Sequence, residues 1–194
     1  MTQTAQAART AYQDDVVALL TRQHGDIRNL FDEVERTTGE ERRTALRRLV
    51  RLLAVHETAE QEVVHPFARR LFEGADEVVR ERLAEEEGAK ETLAVLDGMD
   101  PEAPDFLPTL RALRADVIHH ARAEERYEFR EIRRYAEPEA LAPLAQAVRA
   151  AEAMAPTRPH PNVQGAPANL LTGPVAALMD RTRDAVRKAM HKEG

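Results

Sequence analysis

The chain contains no cysteine and no tryptophan, and other aromatic residues are scarce. Without cysteine it can form no disulfide, thiolate zinc site, iron–sulfur cluster or cysteine nucleophile. This composition is compatible with a reducing cytoplasm, so we expect a cytoplasmic protein. The residues that dominate instead are Ala, Leu, Arg and Glu, which favour helices. The predicted fold class is therefore all-α.

Charge and hydropathy exclude two further classes. The net charge is −6, and acidic and basic residues are mixed along the chain, so no basic face for nucleic acid is expected. No apolar run approaches the roughly 20 residues that a membrane span needs, and residues 1–5 do not begin a signal peptide. The sequence also lacks a glycine-rich phosphate loop, a Ser-His-Asp arrangement and a dinucleotide fingerprint. We therefore expect no nucleic-acid or membrane partner, no nucleotide chemistry and no acyl transfer.

Four segments carry apolar residues at intervals of three or four, which predicts amphipathic helices. They run over about residues 15–36, 40–71, 76–98 and 105–136, and the inward stripe of the fourth segment ends at Tyr127. Pro66 lies inside the second segment and predicts a kink, because proline lacks a backbone donor and crowds the preceding turn. Helices of this length joined by short loops predict an antiparallel up-down-up-down four-helix bundle.

The sequence changes character after this bundle. We assign residues 1–136 to the bundle and 137–194 to a C-terminal tail. A short helix is expected at about 139–153, a proline-rich linker follows it, and a last amphipathic helix is expected at about 174–190. Whether this tail packs on the bundle is left open.

Each of the four segments places a histidine or an acid on its apolar face. The residues concerned are His24, His56, Glu60, Glu86, His120 and Glu124. Burying an unpaired carboxylate costs several kcal/mol, so three of them would consume most of a domain's roughly 5–15 kcal/mol of stability. A cation bound by all of these side chains would remove that cost. The pattern therefore predicts a metal site inside the bundle.

The spacing of these residues supports a metal site over isolated buried histidines. A single buried histidine is more often a hydrogen-bonded core residue, but here His56 and Glu60 are one helical turn apart, and so are His120 and Glu124. Three imidazoles and three carboxylates without sulfur favour iron or manganese, whereas zinc usually takes only four ligands. Carboxylates that bridge two ions are a known arrangement in helical bundles.

Several neighbouring residues have alternative interpretations. Glu86 lies in an acidic run, and Glu87 competes with it for the inner position. We interpret Glu57 as a surface acid rather than an auxiliary ligand, and His65, which lies off the apolar stripe, as a surface residue or an outer contact of the site. Lys90 falls on an inner face, where it could pair with Glu86 or Glu87 or extend to the end of the bundle.

Three stretches of the chain resemble the haemerythrin-like, or HHE cation-binding, family. They are RQHGDIRNLF at 22–31, VHETAE at 55–60 followed by VHP at 64–66, and IHHARAEE at 118–125. The resemblance covers about residues 14–135, and the tail from 155 to 181 is similar to that of actinobacterial members. It implies two non-haem iron ions bridged by an oxo or hydroxo group, with manganese or zinc ranked below iron. It further implies that His24 and His56 serve one iron and His120 the other, while Glu60 and Glu124 bridge the pair.

The third segment departs from the family pattern. Glu86 stands where the family has a histidine, and Lys90 stands one turn later, where oxygen carriers have another. A second position with more carboxylate favours ferric iron and a lower potential, which disfavours reversible oxygen carriage. The alternative is that the second position binds metal weakly and the protein holds one metal or none.

These features lead to three hypotheses for the function. The first is a di-iron protein that binds metal and a small oxidant or gas, such as oxygen, nitric oxide or peroxide, in a stress response. The second is an enzyme with peroxidase, catalase-like or ferroxidase activity. The third is a structural bundle whose metal site is degenerate.

Overall fold

The structure is a computed structural model in which residues 15–155 are described. Five long helices follow one another in this range: α1 (Val16–Arg36), α2 (Gly39–Ala59), α3 (Ala75–Gly98), α4 (Phe106–Ala123) and α5 (Pro138–Met154). Between residues 15 and 155 there is no strand. The proline-rich linker and the last helix expected from the sequence lie outside the described residues.

The helix ends follow from local sequence. Asp15 precedes α1, and its side chain accepts a hydrogen bond of 2.7 Å from the backbone N–H of Ala18, which caps the helix. Gly74 precedes α3 in a left-handed conformation with φ of 83°, which glycine adopts without steric cost. These signals place the starts of α1 and α3 within one residue of their predicted positions.

Two apolar clusters show that successive helices of the bundle run antiparallel. The first joins the beginnings of α1 and α3 to the chain that continues α2 and α4, with Leu20, Val79, Val64 and Phe129 among its members. The second cluster joins the end of α1 to the first part of α2, and the end of α3 to the first part of α4. The predicted antiparallel four-helix bundle is therefore confirmed.

Helices α2 and α4 are each interrupted by one π-helical turn and then continue. The turn after α2 is Glu60–Val64, followed by the α-helical His65–Ala68; the turn after α4 is Glu124–Glu128, followed by Phe129–Tyr135. The first lies where Pro66 predicts a kink, because proline cannot donate to the α-helical ladder. The second contains no proline. Both turns begin at a glutamate that the sequence places in the metal site.

Helix α5 packs on the bundle and extends its first apolar cluster. Leu141, Leu144 and Val148 are buried there together with Val16 and Leu20 of α1. The question that the sequence left open is answered for this part of the tail, since residues 138–154 share a core with α1 and α2.

Between residues 15 and 155, no helix is long and apolar enough to span a membrane.

Candidate metal centre

The six residues predicted for the metal site occupy one layer between the two apolar clusters. Each helix passes through this layer midway, as α1 does at His24, between Leu20 of one cluster and Ile27 of the other. Five of the six are buried, and the side chain of His120 is only 11% exposed. Of the two glutamates that compete for the inner position on α3, Glu86 is buried and Glu87 is only half-buried.

The six side chains form two overlapping groups of potential ligands. His24 and His56 belong to the first group, Glu86 and His120 belong to the second, and Glu60 and Glu124 belong to both. Within each group one potential ligand atom per residue lies within 4.8 Å of the others. This arrangement has room for two cations that share two carboxylates.

The inner atoms of the layer lack hydrogen-bond partners among the described residues. The inner atoms without a partner are both carboxylate oxygens of Glu60, both of Glu124, and Nε2 of His24 and of His120. The nearest approaches are 3.2 Å from His24 Nε2 to Glu124 and 3.3 Å from His120 Nε2 to the same carboxylate. Buried carboxylate oxygens without partners are costly, and a cation with nitrogen and oxygen ligands would satisfy all of these atoms at once. The residues present therefore fit a metal centre.

An outer set of acceptors orients the three imidazoles. Nδ1 of His24 lies 2.9 Å from Glu125, and Nδ1 of His56 lies 2.9 Å from Gln23. Nδ1 of His120 also lies 2.9 Å from an acceptor, the carboxylate of Glu85. Because carboxylate and amide oxygens accept, the proton of each neutral imidazole lies on Nδ1, and the lone pair of Nε2 then faces the interior layer. This tautomer is the one required of a metal ligand.

These outer acceptors were not predicted from the sequence, although a signal for them exists. Gln23, Glu85 and Glu125 each directly adjoin a predicted site residue in the chain, but each contacts the histidine of a different helix. A polar residue directly next to His24, Glu86 or Glu124 in the sequence is thus the signal that could have predicted an outer acceptor. Their partners could not be assigned without the packing of the helices.

Helix α5 reaches this outer set through Gln23. The side-chain oxygen of Gln23 accepts from His56, and its amide N–H donates to the carboxylate of Glu152. Burial raises the pKa of this carboxyl above its ordinary value, although the hydrogen bond from Gln23 works in the opposite direction. A chain of hydrogen bonds therefore connects the last turn of α5 to an imidazole of the candidate centre.

The electrostatics of the layer require charge compensation. Burial and the nearby His24 lower the pKa of His56 to about 3, so this imidazole is neutral. Burial and the adjacent Glu124 raise the pKa of Glu60 well above its ordinary value. Burial alone would raise the pKa of Glu124 and lower that of His120, but their mutual attraction shifts each pKa far in the other direction. These shifts favour the protonated forms of Glu60 and His120, and a metal ion bound in the layer would compete with those protons.

Glu57 and Lys90 form a buried pair at the edge of the layer. The interpretation of Glu57 as a surface acid is wrong, since it is 4% exposed, and burial together with the charge of Glu86 raises its pKa to about 8. Lys90 is also buried, with 8% of its surface exposed. Its Nζ lies 4.0 Å from Glu57 Oε2.

The π turns explain two further errors of the sequence interpretation. His65 was placed off the apolar stripe, but it is 1% exposed and contacts Glu86 and Glu128. Tyr127 was placed on the inner stripe of α4, but it is 50% exposed, and Glu128 is fully buried instead. A π turn holds one residue more than an α turn, so every residue after it is displaced around the helix relative to the α-helical pattern.

A cavity adjoins the candidate centre. It is partly open to solvent and is lined by His24, His56, Glu86 and His120 together with apolar side chains such as Leu53 and Val117. Polar residues of the layer therefore border a space whose walls are otherwise largely apolar.

The fold and this layer define a helical-bundle protein with a cation-binding site. Comparison with known proteins gives its family, since residues 15–132 match the haemerythrin HHE cation-binding domain. The chain belongs to this family. A crystal structure of a haemerythrin HHE cation-binding domain-containing protein from Mycobacterium kansasii is similar, with a TM-score of 0.54 and 19% sequence identity over 93% of this chain and 94% of that one. At that identity the likeness shows the fold alone. No curated protein matches the chain.

Proposed function

We propose that this protein holds two non-haem iron ions in the interior layer and binds a small oxidant or gas, such as oxygen, nitric oxide or peroxide, beside them. Cation binding follows from the family, while two irons and an oxidant are the proposal. The observation that supports it is the pair of buried carboxylates, Glu60 and Glu124, that belong to both ligand groups and have no hydrogen-bond partner in the described chain.

The two positions would differ in their ligands. His24 and His56 would serve the first ion and Glu86 and His120 the second, while Glu60 and Glu124 bridge the pair. Nitrogen and oxygen donors without sulfur suit iron, with manganese and zinc ranked below it. When bound, iron supplies redox chemistry and an open coordination position.

The cavity supports a small ligand. Apolar side chains such as Leu53 and Val117 line it beside the polar layer. These walls would limit access of water to the centre and leave room for a molecule of few atoms. The chain's own contribution is to orient the imidazoles through Gln23, Glu85 and Glu125 and to keep the space beside them apolar.

An enzymatic function is the second candidate, and Glu86 is the observation that favours it. The second position would have one imidazole, His120, and an additional carboxylate. Anionic oxygen ligands stabilise ferric iron, which suits reduction of peroxide or oxidation of ferrous iron better than reversible oxygen carriage. Peroxidase, catalase-like and ferroxidase activities therefore belong to this alternative.

Metal analysis of the purified protein, combined with optical spectroscopy, tests the proposal. We expect about two irons per chain and near-ultraviolet charge-transfer bands that change when oxygen or nitric oxide is added to the reduced protein. His119→Gln is a suitable control, because the side chain of His119 is 77% exposed and its Nδ1 lies 3.8 Å from Glu85, beyond hydrogen-bond distance. Zinc alone, or no metal, would contradict the proposal.

The same preparation distinguishes binding from catalysis. Oxygen release from hydrogen peroxide, measured against an equal concentration of free iron, would favour the enzyme if it is abolished in Glu60→Ala and retained in His119→Gln. Turnover no greater than that of free iron would exclude the catalase-like activity.

A further inference from the structure

His65 lies between two buried carboxylates of other helices. Its Nε2 is 2.7 Å from Oε1 of Glu86 on α3, and its Nδ1 is 2.9 Å from Oε1 of Glu128, which ends the second π turn. All three side chains are at most 2% exposed. His65 and Glu128 stand outside the six residues predicted for the metal site, although they pack directly against it.

The contacts of His65 differ in kind from those of the three predicted histidines. Nε2 of His24, His56 and His120 approaches carboxylates at 3.2–3.3 Å. Metal–ligand bonds of roughly 2.0–2.2 Å place two ligands at right angles about 3 Å apart, so this spacing suits atoms that share an ion.

His65, by contrast, makes a short hydrogen bond with each ring nitrogen. An imidazole whose two nitrogens are both engaged with carboxylates has no lone pair left for a cation. His65 also belongs to a third group of potential ligands, with Glu124 and Glu128, but its two short hydrogen bonds favour the role of a group that holds a ligand.

Glu86 is held from both sides by these contacts. While His65 binds Oε1, the side-chain amide of Gln61 donates a hydrogen bond to Oε2. Each carboxylate oxygen can accept a second interaction, so both remain able to bind a cation. The two bonds fix the plane of the one carboxylate that stands where the family resemblance leads us to expect a histidine.

The first π turn brings His65 to this place. The turn begins at Glu60, and the backbone N–H of His65 closes it by donating to the carbonyl of Glu60. In a regular α-helix a residue five positions after Glu60 would point away from the layer. The additional residue in the turn rotates His65 inward, so that one local distortion positions both a proposed bridging ligand and the partner of Glu86.

We propose that His65 is a positioning residue for the second metal position: it orients Glu86 and is itself oriented by Glu128. This inference depends on the proposed function, because it assigns a role at one of the two proposed ion positions. Outer partners of metal ligands typically change metal affinity by 10–100-fold when they are replaced.

Two amide substitutions at one position separate the two contacts. In His65→Gln the side-chain N–H can occupy the place of Nε2 and still donate to Glu86. In His65→Asn the shorter side chain places its N–H near Nδ1, so it can reach Glu128 but not Glu86. Both variants carry the same amide group, and they differ in whether the hydrogen bond to Glu86 or the one to Glu128 is retained.

The measurement is anaerobic titration of metal-free full-length protein with Co²⁺, followed by visible absorption. The wild type should bind two equivalents. In His65→Asn the second equivalent should bind about 10–100-fold more weakly, with a changed visible band, while the first equivalent stays within about threefold of the wild type. In His65→Gln both should stay within about threefold, as they should in the exposed control His119→Gln.

Three results would overturn the proposal for His65. The first is a wild type with two equivalents and no change in His65→Asn. The second is an equal loss in His65→Asn and His65→Gln. The third is an additional wild-type equivalent that both variants lack, which would make His65 itself a ligand. A wild type that binds fewer than two equivalents contradicts the proposed function instead, so the two failures can be distinguished.

A second substitution keeps the test valid if His65→Asn does not fold, which thermal melting of the metal-free variant would reveal. Glu128→Gln keeps the size of the side chain and weakens the support of His65. It should lower the affinity for the second equivalent about tenfold and leave the first unchanged. Unchanged affinity for both equivalents would overturn the proposal here as well.

Discussion

His24 and His120 lie against opposite oxygens of the same carboxylate. Nε2 of His24 is 3.2 Å from Oε2 of Glu124, and Nε2 of His120 is 3.3 Å from Oε1. The two imidazoles come from α1 and α4, and neither contact meets the geometry of a hydrogen bond. A carboxylate flanked in this way can bridge two cations, each of which has its own histidine.

Replacing the shared carboxylate should therefore remove more metal than replacing an unshared one. Glu124→Gln preserves size but removes the charge from both positions, so we expect less than about one metal ion per chain. Glu86→Gln affects the second position alone and should leave about one. Elemental analysis of the two variants, purified in parallel with the wild type, gives the comparison. Equal losses in the two variants would contradict the bridging role of Glu124.

Removal of the metal should lower the melting temperature of the protein. A ligand present at about 100 times its dissociation constant stabilises the folded state by about 2.7 kcal/mol, which for a chain of this size corresponds to roughly 5–10 °C. Calorimetry before and after dialysis against a chelator, followed by restoration with ferrous iron, measures the change. A melting temperature that chelation leaves unchanged would instead support a structural bundle with a degenerate site.

How far the sequence predicts this molecule depends on the regularity of its helices. The apolar spacing of three or four residues places α1 and α3 accurately, because nothing interrupts their hydrogen-bond ladders. It also selects the inward face that brings His24, His56, Glu60, Glu86, His120 and Glu124 together. Their role as ligands remains a prediction, since the structure gives their positions and not their occupancy.

The sequence interpretation is wrong where the α-helical period is broken. His65 directly after the first π turn and Glu128 within the second are buried, and Tyr127 within the second is exposed, against the α-helical pattern. Pro66 is a signal for the first turn, but no residue within 124–128 has a comparable constraint. The second turn therefore depends on tertiary packing, which a pattern read along one chain does not contain.

The buried Glu57 should make the metal-free protein less stable as the pH rises. Burial and the charge of Glu86 raise its pKa from 4.5 to about 8, so the folded state binds more protons than the unfolded state between those values. Its contribution to stability is present in full below about pH 4.5 and is lost as the pH approaches 8. Glu57→Gln removes this dependence, so its stability relative to the wild type should rise by roughly 3–5 kcal/mol between about pH 5 and about pH 9.

Urea denaturation of the two proteins with chelator present, at about pH 5 and about pH 9, measures the difference. The comparison between wild type and variant cancels the titration of groups that do not interact with Glu57. If the two unfolding free energies change in parallel with pH, Glu57 does not carry the raised pKa.

Helix α5 should influence the first metal position, although it lies beyond the residues 15–132 that match the family. Glu152 accepts from the amide of Gln23, whose oxygen accepts from Nδ1 of His56. A negative charge at Glu152 makes Gln23 a better acceptor and so makes His56 a better ligand. Glu152→Gln should thus weaken the first equivalent of metal by several-fold, and Gln23→Leu by about 10–100-fold, without a change in the second.

A double-mutant cycle shows whether these two residues act in series. If Glu152 reaches His56 only through Gln23, then Glu152→Gln should have no effect in a Gln23→Leu background, because the path is already broken. Glu139→Gln is the matched control, since Glu139 is an exposed residue in the first turn of the same helix. Effects of Glu152→Gln and Gln23→Leu that simply add would show that Glu152 acts on the first metal position independently of Gln23.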